Sequence, residues 1–346
     1  MTAATIHEPG VYFGMPEDEY HSDPALGSSD IRHLLISQSD YWFRSRHLNP
    51  LYEEIDTDTP ARIRGRALHK LILEGQEAFE AQYQRGIDPA DYPGALRTIA
   101  DLKEACRKYS LSISGTKDEL IARVQGRVPK LPILDVLTAE LEKTGKITLK
   151  PRLYDEIMIS SFMVTRNPHL ADCFKGGYPE VSLFWMHDEV RLKARLDYLR
   201  ISGMTDLKSI ANMMERQPGH AITRAIGDHK YYLQGSHYLN GRQQLPRLVK
   251  EGRIFGDVDR DWLARCAMNA NYTYTWVFYF ATGAPIARGM LYPRGSGPDS
   301  TAQAMILDAI ERWRDGMHRF GESSAWVDQT PVETLQQDDL PSWAYQ

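Results

Sequence analysis

Cysteine is scarce: Cys106, Cys173 and Cys266 are the only three in 346 residues. They lie too far apart for a disulfide framework, a zinc ribbon or an iron–sulfur cluster, and read as buried thiols. Long apolar runs are missing as well, so no membrane partner is expected. The first residues, MTAATIHEPGVYF, lack the basic and then apolar stretches of a secretory signal, which makes a cytoplasmic protein the expectation. Positive charge is not in excess either. Lys and Arg number 41 against 46 Asp and Glu, a net charge of −5, which argues against a protein that coats nucleic acid indiscriminately. A local basic groove is still compatible with an acidic exterior. No internal repeat or low-complexity block interrupts the chain.

What is present is an ordinary globular composition, 42% hydrophobic and 25% charged, long enough for a sizeable core carrying one insertion. Ser28-Ser29-Asp30 offers N-caps to a helix with Ile31, Leu34 and Leu35 on one face. A second helix is expected over Ala61–Glu74, with Ala67, Leu68, Leu71 and Ile72 inward, His69 riding on it and Gly75 ending it. Another spans Arg152–Val164. From Tyr178 the texture alternates apolar and polar through turn signals at Asp188-Glu189 and Ser202-Gly203, which predicts a three-stranded meander. A helix over about Gly219–Leu239 should follow, then a hairpin turning at Gly283 and a helix over Ser300–Phe320. The acidic tail after Gly321 has few apolar residues beyond Trp326, Leu335, Leu340 and Trp343, and either docks or stays mobile.

Residues 98–128 read helix, turn, helix. Leu102 and Cys106 mark the first apolar face, Gly115 breaks the chain, and Thr116 with Glu119 forms a capping box ahead of Leu120, Ile121 and Val124. This pattern resembles a SAP motif, a small helical module associated with DNA, and Lys117 is its candidate DNA contact. A plain amphipathic hairpin packed on the core fits the same residues. With Val128–Pro132 as exit linker, the organisation is residues 1–97 and 131–346 as one core and 98–130 as insert.

The chemistry concentrates on the meander. Asp197 lies on one strand, Asp206 and Lys208 on the next, and the turn between them brings the carboxylates together. Asp206 and Lys208 share a face because they are two apart, while Leu207 points into the core. Carboxylate and carbonyl oxygens suit Mg²⁺, which keeps several waters and bridges to phosphate. A neighbouring ammonium can then orient an attacking water and offset developing charge. Lys193 and Arg195 alternate on the strand before Asp197 and read as an exposed face outside the site; the basic stretch Arg242–Arg253 reads as a solvated loop.

The spacing Asp197-x8-Asp206-Leu207-Lys208 resembles the signature of the PD-(D/E)xK nucleases. Gly65-Arg66-Ala67-Leu68-His69 resembles the GxxxH element of their RecB and RecE branch, Glu180 its upstream acidic residue, and Tyr231-x-x-Gln234-x-x-x-Tyr238 its QxxxY helix; RecE-like prophage exonucleases are the branch most resembled. The resemblance implies an α/β fold with a central mixed sheet of about five strands flanked by helices. It also implies catalysis by Asp197, Asp206, Lys208, His69 and Glu180, with Mg²⁺, or Mn²⁺ in its place, held by Asp197, Asp206, the Leu207 carbonyl and His69. Tyr231, Gln234 and Tyr238 would contact DNA, although the same three could simply cover the sheet. The implied activity is exonucleolytic digestion of duplex DNA ends, 5′ to 3′, by a homo-oligomer serving a single-strand annealing partner in phage-type recombination or repair. A structure-specific endonuclease and an inactive DNA-binding scaffold are the alternatives.

Overall fold

The computed structural model describes residues 5–53, 59–336, 339–340 and 342–345. Its strands are β1 (Gly10–Tyr12), β2 (Tyr83–Arg85), β3 (Ile147–Leu149), β4 (Gly177–His187), β5 (Val190–Arg200), β6 (Gly203–Ile210), β7 (Ile254–Phe255), β8 (Thr273–Phe280) and β9 (Ala287–Tyr292). Seven of them form a mixed sheet in the order β7-β1-β4-β5-β6-β8-β9, and β2 and β3 pair separately in parallel. The expected meander is β4-β5-β6, and the hairpin turning at Gly283 is β8-β9. The sheet is wider than the five strands expected, because β1 and β7 pair with each other in parallel at its edge. At three and two residues they are too short to show a period of two.

Helices cover both faces. One core joins Leu183, Trp185, Leu196 and Phe278 of the sheet to the helices Ser28–Ile36, Tyr231–Lys250 and Gly297–Phe320. The other joins Leu207, Val277 and Tyr279 to the helices Pro60–His69 and Pro151–Thr165. Burial on both faces explains why β8, reading TYTWVFYF, is apolar almost throughout. The parallel step from β6 to β8 needs a long crossover, supplied by the helices between them. The longest of these lies close on the sheet: a Cβ at Gly241 would stand 2.9 Å from the Trp185 ring.

Several local expectations need correction. The helix expected over Gly219–Leu239 is two helices, Pro218–Asp228 and Tyr231–Lys250, broken where Lys230 takes a left-handed φ of 52°. The N-cap of the Ser28–Ile36 helix is Gly27, whose N–H donates to the Asp30 carboxylate at 2.8 Å, rather than the serines. The helix starting at Pro60 finishes as a π-turn over Lys70–Glu74 before Gly75 ends it. Arg242 is helical and 1% exposed, not solvated: its guanidinium donates to the Cys266 carbonyl and stacks on Tyr272.

The insert leaves the body between β2 and β3. Its helices Ile99–Lys108 and Lys117–Arg127 each begin with a complete capping box, Thr98 with Asp101 and Thr116 with Glu119. They enclose a small core of their own built on Leu102, Cys106, Leu120 and Val124. Val128–Pro132 does not run free: Leu96 N–H donates to the Pro132 carbonyl and Leu134 N–H to the Leu96 carbonyl, closing the unit at its base. Arg85 pins it, gripping both oxygens of Asp155 on the body and Asp91 on the insert side.

The tail docks at Trp326, which is 1% exposed, packs beside Tyr41 and Phe320, and fills a notch over Gly316 on the last long helix. Trp326→Ala is expected to cost about 3 kcal/mol in urea denaturation. Removing everything after residue 327 should cost less than about 0.5 kcal/mol, because Val332 and Leu335 beyond it are exposed. Equal losses from the two changes would mean that the later tail also packs.

Candidate active site

The alternation of β5 and β6 does what the spacing predicts. Asp197 and Asp206 come together across the hairpin, and Leu207 enters the core beneath the His69 helix. Asp197 Oδ2 accepts a hydrogen bond from Leu207 N–H at 2.8 Å, which fixes the register between carboxylate and strand. Asp206 is 1% exposed. Its Oδ2 faces no donor other than the Lys208 ammonium, 2.6 Å away, and its Oδ1 receives a long 3.4 Å bond from Gln234 Nε2.

His69 arrives from the opposite layer. Its Nε2 lies 3.1 Å from the Leu207 carbonyl and can only donate there. In a neutral ring that leaves Nδ1 as a bare lone pair, and Nδ1 faces Asp197 Oδ2 at 4.0 Å. Glu180 completes the group from β4, where it stands opposite Asp197 in a left-handed conformation, φ 51°. Such a backbone is uncommon for a residue with a side chain and marks stored strain. Ligand atoms of His69, Glu180 and Asp197 all lie within 4.8 Å of one another.

The electrostatics follow from crowding carboxylates into a half-buried place. Burial, reinforced by Asp197, pushes Glu180 up to about 7 against the opposing pull of Arg195. Burial pushes Asp206 up to about 6, with Lys208 opposing and Asp197 adding. Asp197 is raised by burial. Burial works against the Lys208 ammonium, yet Asp206 and Asp197 outweigh it and hold the proton on more firmly than usual. Burial, then the nearby Lys208 charge, keeps His69 neutral by lowering its pKa.

These donors fit a hard divalent cation. Carboxylate oxygens and one imidazole nitrogen converge, and a buried carboxylate oxygen beside them has only an ammonium for company. Asp206 stands beside the closest group of three and leans on Lys208, whereas Glu180 stands within it.

The remaining expected residues divide. The Tyr231 ring lies under Lys208 Nζ, 5.2 Å from its centroid. Tyr238 is buried and borders a cavity of about 940 Å³ shared with Arg62 and Arg66 of the His69 helix and with Lys193. Lys117 opens the second helix of the insert and pairs with Asp135. Lys193 and Arg195, read as an exposed face, are neither exposed nor idle. Lys193 is 6% exposed and donates to the carbonyls of Tyr20 and Asp23, while Arg195 Nε donates to Glu180 Oε2 at 2.6 Å and its Nη1 to the Met15 carbonyl. The signal for Arg195 was its place two residues before Asp197, on the same strand face.

Among known proteins, the SAP domain family model matches residues 95–128. No curated protein matches the chain. A crystal structure of a provisionally named exonuclease from Eubacterium rectale aligns with a TM-score of 0.49 and 10% identity, covering 95% of this chain and 99% of that one. Among the described residues, no helix is long and apolar enough to cross a membrane.

Proposed function

We propose that this chain is a metal-dependent deoxyribonuclease of the PD-(D/E)xK type that hydrolyses phosphodiester bonds from the ends of duplex DNA. The observation that carries the reading is the convergence of His69 Nδ1, Glu180 and Asp197, with the Asp206–Lys208 pair beside it. The SAP match adds a module suited to DNA. Digestion 5′ to 3′, a homo-oligomeric state and service to a single-strand annealing protein belong to the same reading and rest on the sequence resemblance alone.

Glu180 and Asp197 would hold Mg²⁺ or Mn²⁺ with His69 Nδ1 as the nitrogen donor and Asp206 beside them, while the Leu207 carbonyl, taken up by the His69 Nε2–H, lies on the other side of the ring. A bound divalent ion supplies charge to the scissile phosphate and lowers the pKa of a coordinated water. The residues supply the rest. Lys208, held protonated by its two carboxylates, offsets charge that builds on the phosphoryl oxygens as water attacks phosphorus and the bond to the leaving oxygen breaks. Gln234 steadies Asp206, and Tyr231 confines the Lys208 ammonium.

Purified protein with Mg²⁺ is expected to degrade linear duplex, to spare closed circles and to stop on addition of EDTA. Asp206→Ala and Lys208→Ala should each lower the rate by roughly 10²–10³-fold or more. Separate labels on the 5′ and 3′ ends give the polarity. Wild-type protein that binds DNA yet leaves linear duplex intact with both Mg²⁺ and Mn²⁺ would sink the catalytic reading.

Metal binding can be read without DNA. Mn²⁺ titration followed by electron paramagnetic resonance should give affinities weakened at least about tenfold by Glu180→Gln and by His69→Ala. Unchanged affinity in both variants would remove the cation from this position.

A further inference from the structure

The three groups proposed to grip the cation are steadied in different ways. His69 Nε2 donates to the Leu207 carbonyl and Asp197 Oδ2 accepts from the Leu207 N–H, so two of them are fixed by the peptide groups of one strand residue. Glu180 has no such support. The ladder pairs Pro179 with Tyr198 and Val181 with Leu196, and between those pairs the left-handed backbone of Glu180, φ 51°, departs from the strand. Its only side-chain hydrogen bond among the described residues comes from Arg195 Nε, which donates to Oε2 at 2.6 Å and leaves Oε1 without one.

Arg195 is itself held firmly. Its Nη1 donates to the Met15 carbonyl at 2.9 Å and to Ser182 Oγ at 3.2 Å, and its guanidinium stands 5.8 Å from the centroid of the Tyr20 ring. Met15 and Tyr20 belong to a small buried cluster with Tyr12, Ala25 and Phe184, and Gly14, at φ 71°, makes the bend that precedes Met15. One side chain thus runs from the packed N-terminal segment to the carboxylate that the ladder leaves unsupported.

We infer that Arg195 is the positioning residue of the cation site: anchored on the N-terminal segment, it aims Glu180 at the place shared with His69 and Asp197. As a mere neighbour a guanidinium works against such a site, because its charge repels an incoming divalent ion. Its presence within hydrogen-bond distance of a ligand carboxylate needs a gain that outweighs this repulsion, and fixing a strained carboxylate supplies one. The planar fork reaches acceptors on two segments at once, which the single nitrogen of a lysine does far less well. The inference rests on the cation reading given above and assigns Arg195 no contact with the ion or with DNA.

The test titrates the full chain with Mn²⁺ in mildly alkaline buffer without DNA, reading bound ion by electron paramagnetic resonance. Charge and positioning predict opposite signs. A guanidinium acting only by its charge gives tighter Mn²⁺ binding when Arg195→Gln removes it, whereas a positioning residue gives binding weakened about tenfold. On top of Glu180→Gln the same substitution should cause no further loss, because it acts through that carboxylate; a general structural role would lower affinity on both backgrounds. Arg195→Lys keeps the charge without the fork and should also weaken binding, and it carries the comparison if Arg195→Gln fails to fold. Unchanged or tighter binding in either Arg195 variant, or a loss that adds to that of Glu180→Gln, overturns the inference and leaves the cation reading standing. Wild-type protein that binds no Mn²⁺ overturns both.

Discussion

Strand β5 turns Arg191, Lys193, Arg195 and Asp197 to one face, and that face is largely removed from water. Buried cations need acceptors, and the N-terminal segment provides them. Arg191 takes the His7 carbonyl and the Asp23 carboxylate, Lys193 the carbonyls of Tyr20 and Asp23, and Arg195 the Met15 carbonyl. Leaving such a group unpaired in the interior costs more than the net gain of an ordinary hydrogen bond, so the segment and the strand depend on each other. The period of two then delivers Asp197 at the next position of the ladder. Arg195 belongs to both arrangements, because the guanidinium that holds the Met15 carbonyl also holds Glu180.

The site is therefore a compromise between burial and charge. Three acidic residues with raised pKa values and one firmly protonated lysine share a half-buried space. The left-handed backbone at Glu180 shows that the strand accepts strain to place that carboxylate opposite Asp197.

Much of this was legible beforehand, and the failures have physical causes. Long alternating stretches disclosed β4, β5 and β6, and the spacing of Asp197, Asp206 and Lys208 followed from them. The Thr116–Glu119 capping box and the apolar faces disclosed the helix pair of the insert, and the structure adds a second box, Thr98 with Asp101. The break was missed although Gly227-Asp228 stands just before it, because the left-handed turn falls on Lys230, a residue type that rarely adopts that conformation. β1 and β7 were invisible because a strand of two or three residues owes its existence to its neighbours. Arg195 and Arg242 were misjudged for one reason: charge in a sequence suggests solvent, and only tertiary structure shows carbonyls and carboxylates waiting to receive it. His69 was placed by its motif, but which ring nitrogen is bare depends on the Leu207 carbonyl, which belongs to another layer.

The insert is attached through a two-strand clasp of its own, β2 with β3, rather than through the seven-stranded sheet. Its apolar interior is separate, and its ends are brought side by side by that clasp and by Arg85. A graft point of this kind lets natural selection lengthen, exchange or delete the appended unit while the hydrogen-bond register of the strands that carry Asp197 and Asp206 stays untouched. The appended unit and the sheet can thus evolve on separate schedules within one polypeptide.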